Sequence, residues 1–121
     1  MSGKGKPIFY VISDATGQTC ERVMRAVLAQ FEDIDADVHV CSYVRTPEAV
    51  EKLVRDAADA GAMMVYTLVG PEERSRIGAL SRELGVTAVD LLGPLLLQTS
   101  DHIGKEPRKI PGLFQQLVDM E

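Results

Sequence analysis

Residues 13–19 read "SDATGQT" and put Ser13, Asp14, Thr16, Gly17 and Thr19 within one short polar loop. The apolar run "PIFYVI" precedes it, and a helical pattern follows at once. These residue types at this spacing suit an anion. Gly17 allows close approach of the backbone or a positive φ. The first N–H groups of the following helix have no intrahelical acceptor and point at whatever sits there. The hydroxyls of Ser13, Thr16 and Thr19 add donors, and Arg45, at the end of the next strand pattern, adds a cation able to make a bidentate contact. Three or four charge-assisted hydrogen bonds at about 1.5–3 kcal/mol each, less the cost of association, give roughly millimolar to micromolar binding of a phosphate group. Asp14 acts against this. A carboxylate repels phosphate unless it takes a metal, a proton or a hydroxyl, so the loop is suited to a phosphorylatable hydroxyl or a basic group. The same residue types also serve helix capping, and Arg45 also reads as a solvated strand end, so both readings stand at this level.

The elements that must position this loop follow from periodicity. Residues 7–12 form a strand apolar on both faces, as in a parallel sheet covered by helices. A helix over 17–32 has Cys20, Val23, Val27 and Phe31 as its inner stripe, with Arg22, Arg25 and Glu32 opposite. A second strand is expected at 38–44. Thr46 as N-cap and Pro47 in the first turn open a helix that Gly61 ends. Residues 62–69 are the third strand. Pro71, Glu72 and Glu73 open a further helix, ended by Gly85, with Ile77, Leu80 and Leu84 inward. Residues 86–89 are a short fourth strand. Asp90 can cap an apolar helix starting "LLGPLLLQ", and "GLFQQLVDM" reads as a closing helix. Strand–helix alternation predicts an α/β domain over 1–121, a small doubly wound parallel sheet of about four strands in the order 2-1-3-4. Residues 1–6 read as a flexible tail. Ligands in such sheets sit beyond the carboxyl ends of the strands, at the switch point beside strand 1. That rule selects the loop, then Arg45, with Thr67 and Asp90 as a rim.

Other chemistries are poorly served. The net charge of −5 argues against a nucleic-acid face. The longest apolar run, "LLGPLLL", is too short for a membrane span. Cys20 and Cys41 read as free, mostly buried thiols of a reducing cytosol, with no metal-ligand spacing. His39 reads as packing and His102 as a favourable helix C-terminal charge. No Ser–His–Asp, Cys–His or HExxH arrangement occurs, so no residue of this chain is expected to be catalytic through such a site. A signalling receiver would need an aspartate ending strand 3, where "YTLVG" stands.

Two resemblances reach these residues. "ATGQT" at 15–19 is similar to the phosphate loop of flavodoxins, which implies a self-contained module for flavin mononucleotide or another phosphate. The chain has no Trp, and Tyr10, Tyr43 and Tyr66 fall in expected strands. The second resemblance runs the whole length. "IFYVISDATGQTCERVMRAVLAQF", then "VYTLVGPEER", "VDLLGPLL" and "IPGLFQQL", resemble in order the bacterial pyruvate, phosphate dikinase regulatory proteins, sisters of the phosphoenolpyruvate synthase regulators. That resemblance implies a bifunctional enzyme of the cytoplasm. It would use ADP to phosphorylate a threonine of the dikinase, and inorganic phosphate to remove the group as pyrophosphate. Family members are about twice as long and carry a P-loop in the second half, which nothing here matches. The chain therefore resembles the N-terminal domain, with no cofactor or metal of its own. Its expected roles are docking the dikinase or synthase, pairing with a second copy, or completing the distant site.

Overall fold

In a computed structural model, residues 5–113 are described. The strands are β1 (Ile8–Ser13), β2 (Asp37–Cys41), β3 (Met63–Thr67) and β4 (Ala88–Asp90). The helices are α1 (Gln18–Leu28), α2 (Pro47–Ala60), α3 (Pro71–Leu84) and α4 (Gly93–Ile103). The strands form one sheet in the order β2-β1-β3-β4, and every pairing is parallel. This is the α/β architecture and strand order that the alternation predicts. The "GLFQQLVDM" helix lies, from residue 114 onward, outside the described residues.

Alternation along the strands makes two cores. Ile12, Met64 and Tyr66 face one side, where Val50, Val54 and Ala57 of α2 and Ile77 and Leu80 of α3 cover them. Val11 and Val65 face the other, beneath Cys20 and Met24 of α1. β1 is paired on both edges, with Ile12 opposite Cys41 on one side and Tyr66 on the other. Its carboxyl end therefore lies in the middle of the sheet, where the strand order reverses.

α1 differs from its expected form. It ends at Leu28, and its buried residues are Cys20 and Met24, with Leu28 packed beside them. Val23, Val27 and Phe31 are 39%, 47% and 60% exposed. The spacing of four residues, not the mixed three-and-four stripe, points at the sheet, because a short helix lying over β1 and β3 has a narrow contact line. β2 ends at Cys41, before the expected Val44, because Tyr43 turns the chain with φ 57°. His39 is exposed, with its ring edge-on to Tyr10 at 5.5 Å, and His102 lies in the last turn of α4. Cys20 and Cys41 are both free; the first is buried and the second partly so.

The helix ends follow the sequence signals more closely. Thr46 accepts a hydrogen bond from the Ala49 N–H at 3.1 Å, with Pro47 in the first turn. Gly61 and Gly85 end α2 and α3 in the left-handed conformation. Replacing Thr46 with Ala is expected to lower stability by about 1 kcal/mol. Urea unfolding checks this, and Thr46→Asp should restore most of the loss.

Candidate functional site

The loop after β1 is held from behind by the segment after β2. Four successive carbonyls are tied there. Ser13 O accepts from the Val44 N–H, and Ala15 O from the Tyr43 N–H, both at 2.9 Å. Asp14 O accepts from Arg45 Nε at 2.7 Å, and Thr16 O from the Ser42 hydroxyl at 2.6 Å. With its carbonyls fixed on one side, the loop presents its other side to a cavity. Gly17 takes φ 91° as the N-cap of α1 and has no side chain to offer. Glu21 N–H reaches back to Gly17 O, so the earlier amides of the turn have no intrahelical acceptor.

The hydroxyls are used locally. Ser13 Oγ accepts from the Ala15 N–H at 3.0 Å, and Thr16 Oγ1 lies 3.4 Å from the Gln18 N–H. Asp14 is 7% exposed, and its Oδ2 accepts from the Val69 N–H at 2.8 Å. Burial pushes its carboxyl above the ordinary aspartate value, while the Val69 amide, its own backbone and Arg45 pull it back. Below them, Cys20 gives its thiol to Val65 O at 3.6 Å. Burial, opposed by Thr67 and the Ile12 backbone, pushes that thiol up to about 11. It stays protonated at neutral pH and is a packing group, since the thiolate is the nucleophile.

The cavity in front of the loop has a volume of about 640 Å³. Ser13, Asp14, Thr16, Gly17, Thr19 and Thr67 line it together. Arg45 and Asp90 are not among its lining residues. Arg45 braces the loop from behind, its guanidinium 5.5 Å from the centre of the Tyr43 ring. Asp90 pairs with Arg74 at 2.8 Å and accepts from the Leu92 and Gly93 amides at 3.0 and 2.7 Å, so it secures the start of α4.

Sequence reasoning missed the other walls. Val69 follows β3, Leu92 and Leu96 come from α4, and residues 107–110 close the side. Three cations, Arg22, Arg108 and Lys109, also line the cavity. Arg22 falls on the side of α1 assigned to solvent. The signal for the other two was the basic pair following Pro107. No group of three metal-ligating side chains occurs among the described residues. Nor is any described helix long and apolar enough to cross a membrane. The arrangement can hold an anion or a hydroxyl against fixed amides in a partly dry site.

Residues 9–121 match the family described as Kinase/pyrophosphorylase. The chain belongs to this kinase/pyrophosphorylase family. A Geobacter sulfurreducens protein carrying the name pyruvate, phosphate dikinase regulatory protein is 41% identical over 108 residues, 89% of this chain and 40% of the relative. A relative of the same name from Sorangium cellulosum is 38% identical over 109 residues, 90% of this chain and 39% of its own. One from Geobacter metallireducens is 38% identical over 117 residues, covering 97% and 43%. The chain thus spans only about two fifths of the length of these family members. The match covers the loop, the α4 start and the 107–113 wall alike, whereas the flavodoxin likeness is confined to residues 15–19.

Proposed function

We propose that this chain is the N-terminal domain of a cytoplasmic regulator that reversibly phosphorylates a threonine of pyruvate, phosphate dikinase, or of the related phosphoenolpyruvate synthase. ADP is the phosphoryl donor in one direction. The threonine hydroxyl attacks the β-phosphorus, the bond to the bridging oxygen breaks, AMP leaves and the hydroxyl proton passes to a base. In the other direction an oxygen of inorganic phosphate attacks the phosphothreonine phosphorus. Pyrophosphate leaves, and the threonine oxygen regains a proton.

The observation that carries this reading is the coincidence of the kinase/pyrophosphorylase family match with a cavity built on the Ser13–Thr19 loop. ADP binds in the longer remainder of such a regulator, and this domain completes the site or docks the target. Phosphoryl transfer depends on positioning and on charge stabilisation, so fixed amides and hydroxyls presented by a second domain contribute directly. Pairing with a second copy is compatible with this role.

Replacing Thr16 and Thr19 together with Ala in the full-length regulator tests the proposal. Loss of two hydroxyl contacts, about 1.4 kcal/mol together, is expected to slow transfer about tenfold in both directions, with the melting temperature nearly unchanged. Unchanged rates of phosphorylation and dephosphorylation of the dikinase would remove the loop from the reaction.

A further inference from the structure

The cavity is graded from floor to rim. Ser13 and Asp14, 4% and 7% exposed, form the floor. The apolar side chains of Val69, Leu92 and Leu96 form a wall. Arg22, Arg108 and Lys109 are exposed and form the rim. A phosphate dianion placed on the floor would meet the Asp14 carboxylate, whose charge Arg45 offsets only in part. Arg45 gives its Nε to the Asp14 carbonyl and does not line the cavity. A carboxylate offers about four acceptor positions, and the Val69 N–H takes one at Oδ2. The remaining positions leave room for a donor brought by a ligand.

We infer that the floor of this cavity binds a hydroxyl group, with Asp14 as its acceptor, while an anionic group of the same ligand rests on the rim cations. The ligand is a hydroxyl-bearing side chain on an acidic segment of a partner protein. Its being a protein side chain rests on the function proposed above; the preference for a hydroxyl over bare phosphate rests on Asp14 alone. The volume, about 640 Å³, is far larger than one phosphate group and falls in the range of sites that hold a drug-sized ligand, room for a side chain and its immediate neighbours. No aromatic ring lines it among the described residues, so none of those residues offers a nucleotide base a ring to stack on. Asp14 also lies where the hydroxyl proton must go when that oxygen becomes a nucleophile.

An isosteric pair of ligands isolates the hydroxyl. The blocked peptides acetyl-Glu-Thr-Leu-amide and acetyl-Glu-Val-Leu-amide, inorganic phosphate and ADP are titrated separately into this chain and into Asp14→Asn. The backbone amide shifts of residues 16–20 are the readout. The threonine peptide is expected to bind the unaltered chain about tenfold more tightly than the valine peptide, as a hydrogen bond to a charged group requires. In Asp14→Asn that preference should fall to about twofold or less, and phosphate should bind more tightly than before. A merely structural Asp14 would not move the two ligands in opposite directions. Equal binding of both peptides by the unaltered chain overturns the inference, as does a preference that survives in Asp14→Asn. So does phosphate binding the unaltered chain more tightly than the threonine peptide. If Asp14→Asn does not fold, the peptide pair on the unaltered chain decides alone. Micromolar ADP binding at these amides would instead overturn the proposed division of labour, in which the nucleotide sits outside this domain.

Discussion

Gly17→Val is expected to destabilise the domain by about 2–4 kcal/mol and to abolish anion or hydroxyl binding at the loop. Two costs add. Gly17 has φ 91°, a conformation that costs an L-residue roughly 1–2 kcal/mol and a β-branched one more. A Cβ placed there would also lie 2.8 Å from Val40 Cγ1, an overlap that overpacking studies put at about 1–3 kcal/mol. Val40 belongs to β2, whose backbone is fixed along β1, but its side chain is 39% exposed and relieves part of the overlap by rotating. Thermal unfolding should show a fall of roughly 10 °C for a domain of this size. Gly17→Ala, which shares the φ strain and the Cβ overlap but lacks the extra methyls, should cost less than Gly17→Val. A Gly17→Val protein melting within two degrees of the original would show that neither cost is present. The effect on binding is separable by titrating the threonine peptide well below the melting transition, where the loop amides should no longer shift.

Asp90→Ala is expected to cost a similar amount, about 2–4 kcal/mol, and to act through α4. Asp90 Oδ1 accepts from both the Leu92 and Gly93 N–H groups, and loss of such a cap costs about 0.5–2 kcal/mol. Its Oδ2 pairs with Arg74 Nη2 at 2.8 Å. Arg74 Nε is already buried without a partner among the described residues. Removing the carboxylate leaves the guanidinium poorly paired, a loss of about 1–3 kcal/mol. The upper end is discounted because the Arg74 and Asp90 side chains are 32% and 20% exposed. Gly93 sits directly beneath this ion pair, and a Cβ there would run into both Arg74 Nη2 and Asp90 Oδ2. Asp90→Asn keeps an acceptor for the two amides and should lose about half as much. Hydrogen exchange at Leu92–Leu96 should accelerate more than exchange in β1 or β3, because the damage is local to the helix start. Leu92 and Leu96 also wall the cavity, so the same substitution should weaken ligand binding without touching the loop. Uniform acceleration across the sheet would show that Asp90 supports the whole core instead.

Most of the sheet was legible because its signals are local. Apolar runs of strand length, Thr46 and Pro47 at one helix start, and Gly61 and Gly85 at two helix ends each act within a few residues, and right-handed crossovers restrict the order. The α1 stripe was not legible. Val23 and Val27 have the spacing of a buried face, yet the sheet beneath α1 meets only Cys20, Met24 and Leu28. Periodicity names an apolar side of a helix but not how wide a surface awaits it. Asp90 reads in the sequence as the N-cap of α4; that position is Leu92, and Asp90 binds the Leu92 and Gly93 amides from two residues before it, while its ion pair with Arg74 joins residues sixteen apart and had no local trace.

The loop divides in the same way. By itself, the sequence determined that Ser13, Asp14, Thr16, Gly17 and Thr19 stand at the carboxyl end of a central strand, because chain order and handedness decide that position. Only the tertiary structure decided what each does there. Arg45 has the chemistry of an anion clamp, but parallel pairing of β1 with β2 places it behind the loop, where it binds a carbonyl. Arg22, Arg108 and Lys109 have no spacing in common, and they meet because α1 and the segment after α4 converge on one cavity. Asp14 is an ordinary polar loop residue in one dimension. Burial against the Val69 amide is what makes it a desolvated carboxyl lining a cavity, since desolvation and enclosure are properties of packed neighbours and not of the residue.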